Sequence, residues 1–193
     1  MSKKTAPNPS YKGNHSFMKE YAIKTEELKA RIPDLKAGDR VLLSGTIFTA
    51  RDAAHMELFR LLDSGEPLPF PIAGSIIYYA GPTPTQTNGQ IGSFGPTTAS
   101  RMDKFAPRLL DLGIVGMIGK GGRSEGVRES IIRNGAVYLC AIGGAGALAA
   151  KSIAACEEIA FHALGCESVK RLTVENFPLI VGIDSRGGSL FDA

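Results

Sequence analysis

Apolar runs of strand length alternate with segments whose apolar residues recur at helical spacing, and this alternation confines the chain to the α/β class. "RVLLSGTIFTA" (40–50) reads as a strand. From Ala54 the apolar residues Leu58, Leu61 and Leu62 continue as a helix, with Gly65 as its stop. "PIAGSIIYYAGP" (71–82) is strand-like, and "GQIGSFGP" (89–96) reads as a short return strand. A helix then carries Ala99, Met102, Phe105, Ala106, Leu109 and Leu110 on one face and ends near Gly113. "IVGMIG" (114–119) is a buried-type strand. "SEGVRESIIRNG" is a helix with Ser124 as N-cap and Gly135 after its end. "AVYLCAI" is a further strand, and "GGAGALAAKSIAACEEIAFHALG" (143–165) reads as a glycine-rich turn feeding a long helix. "RLTVENFPLIVGID" (171–184) closes the pattern as a strand interrupted at Pro178. The loop joining 71–82 to 89–96 predicts a mixed rather than purely parallel sheet.

With 193 residues and no linker or internal repeat, the expectation is one α/β domain over 18–193, preceded by a polar tail over 1–17. That tail, rich in Pro, Asn and Ser, has no apolar stretch of the kind a secretory signal needs. A net charge of +3 is too mild to argue for nucleic acid. No apolar run approaches the ~20 residues of a membrane span. The expected setting is therefore the cytoplasm, with neither nucleic acid nor membrane as partner.

Three cysteines, Cys140, Cys156 and Cys166, have no CxxC spacing. Cys140 falls in an apolar strand. Cys156 falls on a helical stripe with Ile153, Ala160, Ala163 and Leu164, so both read as packed thiols. His15, His55 and His162 are too scattered to imply a metal site.

Chemistry concentrates where strands hand over to helices. "FTARDAAH" puts Arg51 just past a strand, "GSFGPTTASRMDKF" puts Arg101 one turn into a helix, and "IGKGG" puts Lys120 at a strand end. Ligands of α/β sheets sit outside the carboxyl ends of strands, where helix N-termini favour anions. Two arginines, a lysine and a Gly-Gly loop suit a ligand with two carboxylates, which the arginine fork matches well. Plainer readings stand beside this one. Arg101 shares a stripe with Lys104 and Arg108, as on a solvated face. Thr97 or Thr98 can be an N-cap, Arg51 can pair with Asp52, and Lys120-Gly121-Gly122 can be a turn. His55 can carry a proton or fill a core. "GGAGAL" lacks a full dinucleotide or phosphate-loop fingerprint.

"LSGTIFTARDAAH", "IYYAGPTPT", "IGSFGPTTASRMD", "GMIGKGG" and "AIGGAGALAAK" resemble the β subunit, or C-terminal domain, of class I fumarate hydratases. These iron–sulfur hydro-lyases also include L-tartrate dehydratase. The resemblance runs from about Glu20 to about Ser189 and implies a swivelling β/β/α fold. It implies reversible hydration of fumarate to (S)-malate at a site shared with an α subunit. That partner would hold a [4Fe–4S] cluster, with no metal ligand on this chain, in an α2β2 assembly. At matching positions it implies Arg51, Arg101 and Lys120 on substrate carboxylates and Thr97 as the base. Asp52, His55, Thr98 and Gly121 take supporting places. Tartrate dehydration, or a non-catalytic anion-binding module on the same fold, are the alternatives.

Overall fold

The computed structural model describes residues 18–82, 92–141 and 146–192, so the segment 1–17 lies outside it. The elements run β1 (Glu20–Lys24), α1 (Leu28–Arg31), β2 (Arg40–Thr49), α2 (Asp52–Ser64), β3 (Ile76–Tyr78) and α3 (Ala106–Asp111). They continue with β4 (Gly116–Gly119), α4 (Glu125–Asn134), β5 (Val137–Ala141), α5 (Gly146–Lys151), β6 (Ile153–Ala160) and β7 (Val169–Ile183). Both helices with clear stop signals end as the residues dictate. Gly65 and Gly135 are left-handed, at φ 69° and 54°, and return N–H groups to the last turns of α2 and α4.

Strands β1 to β5 pair in parallel, in chain order. Helices α2, α3 and α4 occupy the crossovers that parallel neighbours need. The long strand β7 then runs antiparallel to β2, β5 and β6. Because β7 pairs with both β5 and β2, the strands β2, β3, β4, β5 and β7 close into a ring. Alternation along each strand divides the buried residues between two cores. Ile76, Tyr78, Ile118, Leu139 and Val181 belong to the ring interior. Ile77, Met117, Tyr138 and Ile183 face outward, against Leu58 of α2, Leu109 of α3 and Ile131 of α4.

The fold is thus mixed α/β with a mixed seven-stranded sheet, but the antiparallel pairings come from β7 and β6. Residues 89–91 of the expected return strand lie outside the described residues. The remainder contributes one bridge, Pro96 to Ala80. In 71–82 only Ile76–Tyr78 is strand. The expected helix over 99–110 is two pieces, a 3-10 turn at Ala99–Met102 and then α3, although all six residues of its apolar face are buried.

Residues 143–145 of the expected glycine-rich turn lie outside the described residues, and the helix expected to follow it as far as 165 is corrected. Helix α5 ends at Lys151, and Ile153–Ala160 is β6, paired to the start of β7. Its apolar spacing fits a helix, but the free edge of β7 offers a ladder of main-chain hydrogen bonds that overrides local pattern. Cys156 therefore lies exposed on a strand, not packed in a helix; Cys140 is half-buried and Cys166 exposed. Nor does Pro178 interrupt β7, where it sits in register opposite Leu42. The irregularity falls earlier. Asn176 takes φ 47°, its N–H bonds Ser44 Oγ at 2.9 Å, and the register slips between Leu43 and Gly45.

Candidate active site

Parallel strands put all their carboxyl ends on one rim of the ring, and the three cations follow three of those ends. Arg51 follows β2, Lys120 follows β4, and the Thr97–Arg101 segment is stitched between β3 and β4. Thr97 N–H bonds Tyr79 O at 2.7 Å, Lys120 N–H bonds Thr97 O at 3.3 Å, and Ala99 N–H bonds Lys120 O at 2.9 Å. The two threonines are therefore a short extended insert, with Thr98 bridging Lys120 in parallel. Thr98 precedes the 3-10 turn and makes no side-chain cap hydrogen bond. This corrects the helix-start account of the stretch: a four-residue 3-10 turn has no appreciable dipole, so an anion here must be held by side chains.

Side-chain contacts run on from there. Arg101 aligns with Asp52, Nε to Oδ1 at 3.1 Å and Nη2 to Oδ2 at 2.8 Å. Asp52 opens α2, and the residue before it, Arg51, pairs through Nη2 with Glu167 Oε1 at 3.3 Å. Asp52 thus partners Arg101, not its neighbour Arg51. Lys120 is exposed, and among the described residues its side chain has no hydrogen bond or ion pair. Gly121, left-handed at φ 78°, carries the carbonyl that accepts Tyr138 Oη at 2.9 Å.

Behind this rim lies a buried layer. His55 is wholly buried, stacked on Phe105 at 5.2 Å and tilted against Tyr79 at 5.6 Å. Its Nδ1 is 2.8 Å from Arg51 O, and a carbonyl can only accept, so Nδ1 carries the proton and Nε2, without a partner among the described residues, does not. Burial lowers its pKa from 6.5 to about 4, with the Arg123 charge acting the same way. His55 is neutral at pH 7 and props the Arg51 backbone. Because the folded value lies below the unfolded one, its neutral form stabilises fully above about pH 6.5, and that stability fades as pH falls towards 4. The loss from this group alone is about 3 kcal/mol. Urea unfolding between pH 4 and 7 should show it in the wild type and lose that component in His55→Phe. Equal pH slopes would refute the assignment.

Arg123 and Asp103, absent from the sequence-derived site, anchor the Lys120 loop. The Arg123 side chain is 0% exposed and donates through Nε to Asp103 Oδ1 at 2.7 Å. It lies over the rings of Tyr79 and Tyr138, 5.3 and 5.0 Å from their centroids. Ser124 is the N-cap of α4 as expected but makes no side-chain cap hydrogen bond among the described residues, and the other Asp103 oxygen accepts the Ser124 N–H at 2.6 Å. Glu167 was also missed, since it reaches the rim from the turn between β6 and β7. Asp103 ends "IGSFGPTTASRMD" and Arg123 directly follows "GMIGKGG", but nothing local marks Glu167.

Two arginines and a lysine thus stand beside a threonine insert on one rim of a mixed α/β domain. The Fumarase C-terminus family model matches residues 2–193, and the chain belongs to that family. It is 39% identical over 168 residues to fumarate hydratase 2 of Leishmania major, covering 86% of this chain and 30% of that protein. It is 41% identical over 170 residues to a putative L(+)-tartrate dehydratase subunit beta of Methanocaldococcus jannaschii, covering 85% and 87%. To the L(+)-tartrate dehydratase subunit beta of Escherichia coli it is 34% identical over 174 residues, covering 87% and 83%. The chain thus spans under a third of the fumarate hydratases it matches, and most of the beta subunits. No helix among the described residues is long and apolar enough to cross a membrane.

Proposed function

We propose that this chain is the β subunit of a two-subunit fumarate hydratase, working with an α subunit in the cytoplasm as an α2β2 assembly. The observation that carries the reading is that main-chain bonds set the Thr97–Arg101 segment beside Lys120, while the Arg101–Asp52 pair ties that segment to the start of α2, which Arg51 directly precedes. Arg51, Arg101 and Lys120 bind and orient the two carboxylates of the dicarboxylate. Thr97 takes the C3 proton of malate in dehydration and returns it in hydration. An alcohol is a weak base, so this role needs cations nearby to stabilise its alkoxide, and Lys120 and Arg101 are the available ones.

The cysteines of this chain do not fit an iron–sulfur cluster. They lie on β5, on β6 and in the turn before β7, and among the described residues no group of three or more His, Cys, Asp or Glu side chains is placed to hold a metal. In this reading the [4Fe–4S] cluster, and the acid at the departing hydroxyl, belong to the α subunit.

Tartrate is the runner-up substrate, favoured by the 41% identity to a putative tartrate dehydratase subunit. "FTARDAAH" and "IGSFGPTTASRMD" favour fumarate. The test is anaerobic co-purification with an iron–sulfur α subunit, followed by assays with fumarate, (S)-malate, L-tartrate and mesaconate. The expected result is an active complex with its highest kcat/KM on fumarate and malate. The chain alone should be inactive and colourless. Preferred turnover of tartrate would move the assignment to the dehydratase. A brown, active product from this chain by itself would overturn the two-subunit reading. An inert complex would leave the non-catalytic anion-binding module.

A further inference from the structure

We propose that Glu167 is a positioning residue for Arg51, holding one side of the guanidinium so that the other is presented to a substrate carboxylate; this rests on the hydro-lyase reading above. Helix α2 begins with arginine at its N-cap, and that residue makes no side-chain cap hydrogen bond. The free N–H groups of the first turn therefore need an acceptor from elsewhere. Glu167 supplies it from 114 residues away, Oε2 accepting the Ala53 N–H at 2.9 Å. Its other oxygen lies 3.3 Å from Arg51 Nη2. One carboxylate thus ties the guanidinium to the helix that carries it. Both side chains are 22% exposed, so the pair is partly screened from water yet open to a ligand.

Gly81 lies close by, and its lack of a side chain leaves room for the guanidinium. A Cβ there would fall 2.6 Å from Cys166 O and 3.1 Å from Arg51 Nη1, so the Gly81 main chain, the Glu167 turn and the guanidinium are in close contact. With Nη2 taken, Arg51 Nε remains a buried donor without a partner among the described residues. A buried donor left unpaired in the free protein is costly, and a carboxylate ligand would satisfy it. A guanidinium already held through Nη2 also loses less rotamer freedom when substrate binds.

The experiment uses the assembled complex. Glu167→Gln keeps an oxygen for the Ala53 N–H but removes the charge facing Arg51. The KM for (S)-malate should rise about tenfold with kcat within about twofold of wild type. Glu167→Ala should show the same KM and a lower melting temperature, which Gln restores. In an Arg51→Lys background Glu167→Gln should add little, because the two act as one unit. Glu157→Gln, whose carboxylate pairs with exposed Arg171 on the same hairpin, should leave KM unchanged. An unchanged KM in Glu167→Gln would reduce Glu167 to a helix cap. A fall in KM would make it a competitor of substrate. Either overturns the proposal while an active wild-type complex upholds the hydro-lyase reading. A wild-type complex inert towards all four acids overturns that reading itself.

Discussion

Replacing Thr97 by valine should cut turnover by about 10²- to 10⁴-fold, the usual contribution of a positioned acid or base, and leave KM close to wild type. The structure makes this a clean substitution. Both bonds that fix residue 97, to Tyr79 O and from Lys120 N–H, are main-chain bonds that valine keeps. Its extended backbone suits a β-branched side chain. Melting temperature should therefore move little, and Ser100→Ala, three residues on in an exposed position, should match wild type in both measurements. If Thr97→Val keeps its turnover, the base lies elsewhere.

Asp103→Ala should be the most destabilising single change on the rim. It strips the carboxylate from a guanidinium whose side chain is fully buried, and it leaves the Ser124 N–H without its acceptor. Losing one partner of a buried pair costs about 3–5 kcal/mol. For a chain of this length that is a fall in melting temperature of about 10 °C. The companion test is Asp103→Leu with Arg123→Met. The double variant removes both charges and should lose much less than Asp103→Ala alone. If it proves the less stable of the two, the stacking of Arg123 on Tyr79 and Tyr138 matters more than its charge.

Legibility in the sequence followed the range of the physics. The strand at 40–50, helices α2 and α4 and their glycine stops are set by local periodicity and backbone conformation, and they stand where the residues put them. The buried face from Ala99 to Leu110 was legible, but its division into a 3-10 turn and α3 was not. Stitching to Tyr79 and Lys120 decides that break, and both partners are distant in the chain. β6 was misread because its spacing serves a helix as well as it serves a strand beside an open edge. At the rim, the places of Arg51, Arg101 and Lys120 could be read from strand-to-helix junctions, and Thr97 from the stretch that carries Arg101. Which carboxylate meets which arginine could not, since Arg51 takes Glu167 and leaves Asp52 to Arg101.

Closure of the ring by β7 has a bearing on how the chain reaches its native state. The pairings that seal the barrel join Leu42 to Pro178 and Leu139 to Val181, so β2 waits for a partner more than a hundred residues downstream. Until β7 emerges from the ribosome, the nascent β1 to β5 sheet has two open borders, one along β2 and one along β5. Such borders template association between chains. Contacts this distant also slow folding, because loop closure precedes any reward from pairing. Synthesis of this protein thus passes through an interval in which most of its strands exist and none of its barrel does, the stage at which a chaperone has most to shield.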